Sequence, residues 1–237
     1  MHSWLICNRV TKNTAIIVAA GSGQRFGSKP KQFVSLVDKP LIIHTLERFE
    51  SCTAIDEIVL VLSEEGRLEF EAINLKFEIS NLKSVISGGE TRAHSVKNGL
   101  DSISANDNDI VVVHDGARPL VSVEEITRTI EKAKETGAAC LVADLTDTIK
   151  EIDGEHLLRT IDRSKLRRAL TPQAFRYDIL RKAFEGVDLA ESITDECYLV
   201  EKLGVKIALV EGSNRNIKIT RPEDLVLAEA YLLDTER

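Results

Sequence analysis

The chain has 237 residues, of which 43% are hydrophobic and 29% charged, with a formal net charge of −7. That length holds one large α/β domain or two small ones, and the composition is that of an ordinary globular protein. The acidic balance excludes broad coating of nucleic acid, which needs a strongly basic face, but it leaves room for a local basic pocket that takes a small phosphorylated molecule.

In chain order, residues 1–13 read as an N-terminal extension. Their apolar patch, Trp4-Leu5-Ile6-Cys7, is too short for a signal-peptide core. No run anywhere approaches the roughly 20 apolar residues that span a bilayer. Residues 15–20 form a buried β-strand that runs into Gly21-Ser22-Gly23-Gln24-Arg25-Phe26-Gly27 and then Pro30-Lys31-Gln32. A glycine-rich turn after a parallel strand can wrap backbone N–H groups around phosphate. Arg25 and Lys31 add a guanidinium and an ammonium to the same loop, which suits polyphosphate handling. The loop is neither the ATP-binding P-loop, which needs a Lys-Ser or Lys-Thr after glycine, nor the dinucleotide fingerprint, because Phe26 stands where its third glycine belongs.

Residues 40–50 then predict a helix with proline at its start. Residues 57–62 are a continuous apolar strand suited to burial on both faces. Residues 84–87 form a third strand that ends in Gly88-Gly89, and 91–103 form a helix in which Ala93, Val96 and Leu100 fall about one turn apart. A strand at 109–113 runs into His114-Asp115-Gly116-Ala117-Arg118-Pro119. A helix at 123–136 and a strand at 138–143 complete the rhythm. Alternating strands and helices predict an α/β fold with a mostly parallel sheet and helices on both faces. Ligands bind such sheets beyond the carboxyl ends of the strands, so the Gly21 loop, the Gly88-Gly89 turn and the 114–119 segment should share one rim.

The rhythm breaks at 145–163, where Asp153-Gly154 marks a hairpin turn. A two-stranded ribbon is marginal alone, so this inserted β-arm is expected to pack on a second copy of the chain and make a homodimer. Leu170-Thr171-Pro172-Gln173 follows, then a helix at 177–185 and Thr194-Asp195-Glu196 capping another. A strand at 206–211 and a helix at 225–233 close the chain. Without repeats or linkers, residues 1–237 read as a single domain plus the arm. The four cysteines (Cys7, Cys52, Cys140, Cys197) lie far apart, with neither zinc nor disulfide spacing, which fits a reducing cytoplasm.

Seven segments carry a resemblance: Ala19-Ala20-Gly21-x-Gly-x-Arg25, Pro30-Lys31-Gln32, His114-Asp115-x-Ala117-Arg118-Pro119, Asp162-Arg163, Leu170-Thr171-Pro172-Gln173, Thr194-Asp195-Glu196, and the run from Asn216 through Ile217-Lys218-Ile219-Thr220-Arg221-Pro222 to Glu223-Asp224. In that order and spacing, from about Thr14 to the C-terminus, the chain resembles the 2-C-methyl-D-erythritol 4-phosphate cytidylyltransferase family of the non-mevalonate isoprenoid pathway. The resemblance implies a Rossmann-like nucleotidyltransferase domain with a dimerising β-arm. It also implies transfer of CMP from CTP to methylerythritol phosphate, with pyrophosphate released and Mg²⁺ or another divalent cation as cofactor. The attacking phosphate-monoester oxygen is already anionic and needs no general base. The difficulty lies in gathering anions and stabilising the charge that builds at the α-phosphate and leaving group.

Carried over residue by residue, the family's roles make Arg25, Lys31, Arg163 and Lys218 catalytic. The first two would act at the α-phosphate and pyrophosphate, the other two on the substrate phosphate. Ala19, Ala20, Gly21, Ser22, Gly23, Lys31, Gly88, Gly89, Arg92, Ser95 and Gly116 would form the nucleotide site. Asp115, Arg118, Thr148, Thr171 and Thr194, with Arg163 and Lys218, would hold the polyol phosphate. Asp115 would be the metal ligand, with most Mg²⁺ contacts supplied by the CTP phosphates. Two positions depart from the family's usual form: Gly116 replaces an alanine and loosens the loop, and His94 replaces an acidic or amide residue before Ser95. The partners implied are CTP, a polyol phosphate and a second copy of the chain, with no nucleic acid and no membrane, in the cytoplasm. The rival readings are a cytidylyltransferase for ribitol 5-phosphate and a catalytically silent nucleotide-binding module.

Overall fold

A computed structural model describes residues 11–21, 30–74, 76–189 and 193–235. In chain order the strands are β1 (Asn13–Ala19), β2 (Ser35–Leu36), β3 (Lys39–Pro40), β4 (Glu57–Leu62), β5 (Leu82–Ser87), β6 (Ile110–Asp115), β7 (Ala138–Ala143), β8 (Ile149–Asp153), β9 (His156–Ile161), β10 (Arg168–Arg176) and β11 (Ala208–Glu211). The helices are α1 (Leu41–Glu50), α2 (Glu64–Asn74), α3 (Arg92–Ser102), α4 (Val123–Thr136), α5 (Tyr177–Phe184), α6 (Glu196–Lys202) and α7 (Pro222–Thr235). Seven strands form one sheet in the order β11-β7-β10-β6-β1-β4-β5. All are parallel except β10, which runs antiparallel to both β6 and β7.

The apolar strands are buried on both faces because helices cover both sides of the sheet. Side chains alternate along a strand with a period of two, and the core divides accordingly. Ala15, Ile17 and Ala19 of β1 face the layer built by α1, α2 and α4, with Ile42, Leu46, Phe49, Phe70, Ile126 and Ile130. Ile16, between them, faces Ala93, Val96 and Leu100 of α3 and Leu180 and Phe184 of α5. A smaller cluster of Leu36, Leu41, Ile219 and Ala228 seats α7 beside the sheet. Local chemistry sets the helix ends. A capping box closes the start of α4, where Ser122 accepts from the Glu125 N–H and Glu125 accepts from the Ser122 N–H. Gly137, at φ 87°, ends it in the left-handed conformation that glycine adopts without steric cost.

The strand and helix rhythm holds, with α2, β10 and the short β2–β3 pair added. Helix α2 is absent from the sequence reading because only Gly66 and Phe70 of it are buried, too few for a periodic apolar stripe. Strand β10 is absent because Pro172 argues against a central strand. The proline fits because the register shifts between Ala169 and Gln173, so its missing N–H falls in the irregularity and not in the ladder. The last helix starts at Pro222, earlier than expected, and runs to Thr235. β8 and β9 form the predicted hairpin around Asp153-Gly154 as a separate two-stranded sheet. Among the described residues no helix is long and apolar enough to cross a membrane.

Candidate active site

The carboxyl ends of the parallel strands lie along one rim. β1 runs there into Ala20-Gly21, β5 into Gly88-Gly89, and β6 ends in Asp115 with Gly116 after it. The 216–220 segment joins them, since the Ile219 N–H donates to the Ala117 carbonyl at 2.8 Å. Between these loops lies a pocket of about 200 Å³ lined by Val18, Ala19, Gly21, Lys31, Gln32, Arg92, Asp115, Ala117 and Lys218. Lys31 enters from a short 3₁₀ turn anchored by its buried neighbours Gln32 and Phe33. Its Nζ donates to the Ile219 carbonyl at 3.1 Å, which joins the glycine-loop side of the pocket to the C-terminal segment.

Asp115 organises the floor of the pocket. Its Oδ1 accepts from Arg92 Nε at 2.9 Å, and its Oδ2 meets Lys218 Nζ at 2.8 Å and Arg118 Nε at 3.6 Å. Burial alone would raise its pKa, but Arg92, Lys218 and Arg118 hold the carboxyl well below the usual carboxylate range. Arg92 also grips Glu196 with both terminal nitrogens, at 2.7 and 3.1 Å. Burial would weaken its charge, yet the two carboxylates raise its pKa above that of a free arginine.

His114 lies beneath, fully buried. Its Nε2 is 3.1 Å from the Arg118 carbonyl, which can only accept, so Nε2 carries the proton. Nδ1 is then the acceptor and Thr171 Oγ1 donates to it at 3.0 Å, while the same oxygen accepts the Asp115 N–H at 3.1 Å. Burial brings the His114 pKa down to about 3. The unfolded chain therefore takes this proton first. The contribution of His114 to stability is full above about pH 6.5 and is lost as the pH falls from there toward 3. The expected loss is about 5 kcal/mol across that window, of which about 3 kcal/mol falls above pH 4.5. Urea unfolding of the wild type and His114→Gln at pH 7.5, 5.5 and 4.5 checks it; equal pH slopes for the two proteins would exclude this role for His114.

Glycines admit close packing at the rim. A Cβ on Gly88 would lie 2.4 Å from the Ala20 Cβ and 2.8 Å from Ser95 Oγ, and one on Gly89 would lie 2.4 Å from the His94 Cβ. One on Gly116 would meet the Ala19 Cβ at 2.8 Å and Ile42 Cδ1 at 2.9 Å. Gly116 thus does not loosen its loop as expected: its carbonyl accepts from Thr45 Oγ1 at 3.0 Å, and the space for the expected alanine is closed.

Of the residues singled out in sequence, Ala19, Gly21, Lys31, Arg92, Asp115 and Lys218 line the pocket together. Ala20, Gly88 and Ser95 pack against one another beside it, and Ser95 Oγ accepts the Gly89 N–H at 3.1 Å. Gly116, Arg118 and Thr171 support it from behind, all buried. Arg163 and Thr148 lie on the arm, both exposed, and Arg163 lines a separate hollow with Asp144, Thr146 and Arg167. Thr194 is exposed beside Asp195, in another groove. Ser22, Gly23 and Arg25 lie outside the described residues. Sequence reasoning gave no role to Glu196 or Asn216, although both sit in the quoted motifs. Asn216 is fully buried, donating to the Thr171 carbonyl at 3.0 Å and accepting from Arg118 Nη1 at 2.8 Å through its own carbonyl.

The donor set does not fit a metal held by the protein alone. Among the described residues no group of three or more His, Cys, Asp or Glu side chains is arranged to hold an ion. Of the described residues, Asp115 is the one carboxylate lining the pocket, and both its oxygens are engaged by cations.

Known proteins are similar to this chain over nearly its whole length. The profile of the family described as 2-C-methyl-D-erythritol 4-phosphate cytidylyltransferase matches residues 13–234. A protein of that name from Bacillus velezensis is 43% identical over 220 residues, covering 92% of this chain and 94% of its own. One from Geobacillus kaustophilus is 42% identical over 220 residues, covering 92% of this chain and 96% of its own. The solved structure of a 4-diphosphocytidyl-2C-methyl-D-erythritol synthase from Anaerococcus prevotii has a TM-score of 0.82 and 31% identity, over 94% of this chain and 96% of that one.

Proposed function

The chain belongs to the 2-C-methyl-D-erythritol 4-phosphate cytidylyltransferase family, and on that premise we propose that its reaction runs in the pocket bounded by Lys31, Asp115 and Lys218. The reaction transfers CMP from CTP to 2-C-methyl-D-erythritol 4-phosphate, giving CDP-methylerythritol and pyrophosphate. The observation that carries this placement is two lysines, Lys31 and Lys218, lining one concavity with the Ala19–Gly21 turn. Two ammonium groups beside backbone donors match a reaction that brings two phosphates together.

In this reading the triphosphate lies beside the Ala19–Gly21 turn, with Lys31 facing the α-phosphate and the leaving pyrophosphate; the same role falls to Arg25 from the family motif. Ribose and cytosine lie toward Gly88, Gly89, Arg92 and Ser95. The incoming phosphate meets Lys218 where its 2.8 Å contact with Asp115 holds it, and Arg92 and Arg118 share the neutralisation of that carboxylate. The divalent cation, Mg²⁺ or another, arrives on the CTP phosphates as part of the substrate. Three free, buried cysteines, Cys52, Cys140 and Cys197, fit a reducing cytoplasm as the place of action.

The arm in this reading reaches a second copy of the chain. Ile152, Leu157 and Leu158 are 68%, 60% and 60% exposed on an isolated ribbon, an apolar surface that association would cover. Arg163 and Thr148 would then serve the neighbouring protomer's substrate phosphate. Ile152→Glu with Leu157→Glu is expected to convert a dimer to a monomer in sedimentation and to lower activity with it. A wild-type monomer, or a variant that stays dimeric, would remove the arm from the interface.

Pyrophosphate release from CTP and Mg²⁺, run in parallel with methylerythritol 4-phosphate and ribitol 5-phosphate, tests the function. Release with the first alone is expected. Release with ribitol phosphate alone would change the substrate, and CTP binding without release would indicate a silent binding module.

A further inference from the structure

Glu196 has no exposed surface, yet it carries a charged group within two side chains of the pocket. It is the first residue of α6, and the start of that helix is fixed from β10. The Gln173 amide donates to Asp195 Oδ2 at 2.9 Å and its oxygen accepts the Cys197 N–H at 3.2 Å, while Asp195 Oδ1 caps the helix through the Tyr198 N–H at 3.0 Å. Glu196 is therefore held from both sides in sequence. Its two oxygens take Arg92 Nη1 and Nη2 at 2.7 and 3.1 Å, the bidentate fork that fixes a guanidinium plane. With both ends of the guanidinium held, Nε points at Asp115 Oδ1 at 2.9 Å, and Asp115 meets Lys218 with its other oxygen. Burial pushes the Glu196 carboxyl upward and Arg92 pulls against it.

We propose that Glu196 is a positioning residue for CMP transfer: it fixes Arg92 as a bracket for Asp115, and so sets where the Lys218 ammonium stands. Three of the five guanidinium N–H bonds go to protein carboxylates, which makes Arg92 a holder of Asp115 more than a binder of phosphate. Glu196 touches no pocket surface itself and acts through Arg92. The proposal rests on the placement of the reaction in this pocket.

The test assays Glu196→Gln, Glu196→Asp, Arg92→Gln and the double variant Arg92→Gln/Glu196→Gln for kcat, for KM of CTP and of methylerythritol 4-phosphate, and for Tm. Glu196→Gln is expected to lower kcat by about 30- to 100-fold, the scale of a misplaced catalytic group, with the KM for CTP within about threefold of wild type. Glu196→Asp keeps the charge but withdraws the fork by one methylene, and should fall between, about tenfold down in kcat. Because one residue acts through the other, the double variant should be no slower than Arg92→Gln alone, to within about threefold. A folded Glu196→Gln with wild-type kcat would overturn the proposal whatever its Tm, and so would a double variant slowed by the product of the two single losses. If Glu196→Gln does not fold, Glu196→Asp decides, and a wild-type kcat there overturns it. A wild type that is inactive with CTP and methylerythritol phosphate would overturn the functional reading and this proposal with it. An active wild type beside an unaffected Glu196→Gln would overturn the proposal alone.

Discussion

Lys31→Ala is expected to slow CMP transfer by about 10²–10³-fold while CTP binding stays measurable. The side chain is preorganised. Gln32 and Phe33 are buried, so the backbone at Lys31 is fixed, and the Ile219 carbonyl orients its ammonium. A charge held in place before reaction contributes most where negative charge develops, at the α-phosphate and the departing pyrophosphate. Lys31→Arg should rescue little, because a planar fork cannot take the seat of a compact ammonium beside that carbonyl. Single-turnover pyrophosphate release, with CTP affinity from equilibrium titration, separates the cases. A rate within tenfold of wild type would remove Lys31 from the chemistry. Loss of CTP binding in step with rate would make it a ground-state binding residue.

Asp115→Asn is expected to cost about 3–5 kcal/mol of stability at neutral pH, the range for breaking a buried ion-pair network by removing one partner. Arg92, Arg118 and Lys218 converge on this carboxylate, and the amide would leave them facing a neutral group. The sign follows from the direction of the pKa. The carboxyl is held below its ordinary value of 3.8, so its stabilisation is complete above that pH and is lost only as the pH falls further. The full effect should thus be visible at pH 7.5 in guanidinium unfolding, together with loss of activity as Lys218 moves. A cost below about 1 kcal/mol would mean that water, not Asp115, carries these cations.

The central strands β1, β4, β6 and β7 were legible because each is an apolar run long enough to be buried on both faces. The rim was legible for the same reason: the apolar strand expected at 109–113 runs into His114-Asp115 at its carboxyl end. The Lys31, Asp115 and Lys218 grouping followed from motif order, although Lys218 lies more than a hundred residues from Asp115. The inner support was not legible. Thr171, considered for its hydroxyl toward the polyol, uses that hydroxyl on the Asp115 N–H and His114. Glu196 looked like part of a cap, but Asp195 does the capping and Glu196 turns inward to an arginine 104 positions away. Pairings at that distance depend on tertiary packing and leave no periodic trace. Helix α2 did leave one local sign, Ser63, whose Oγ accepts the Gly66 N–H at 3.1 Å as an N-cap.

The reversed strand β10 has a topological consequence. β7 ends at Ala143, and β10 begins at its direct partner Arg168, so the chain leaves the sheet and re-enters it at adjacent positions on the same rim. Arg163 closes the base of the excursion by donating to the Thr146 carbonyl. Seen from the sheet, residues 144–167 are one long hairpin loop. Cutting that loop down to a tight turn would remove no registered pair between β7 and β10, so the stability of the sheet and the length of the arm can vary independently. A parallel strand in the place of β10 would have needed a crossover connection back to the opposite ends of the strands and would have tied the two together.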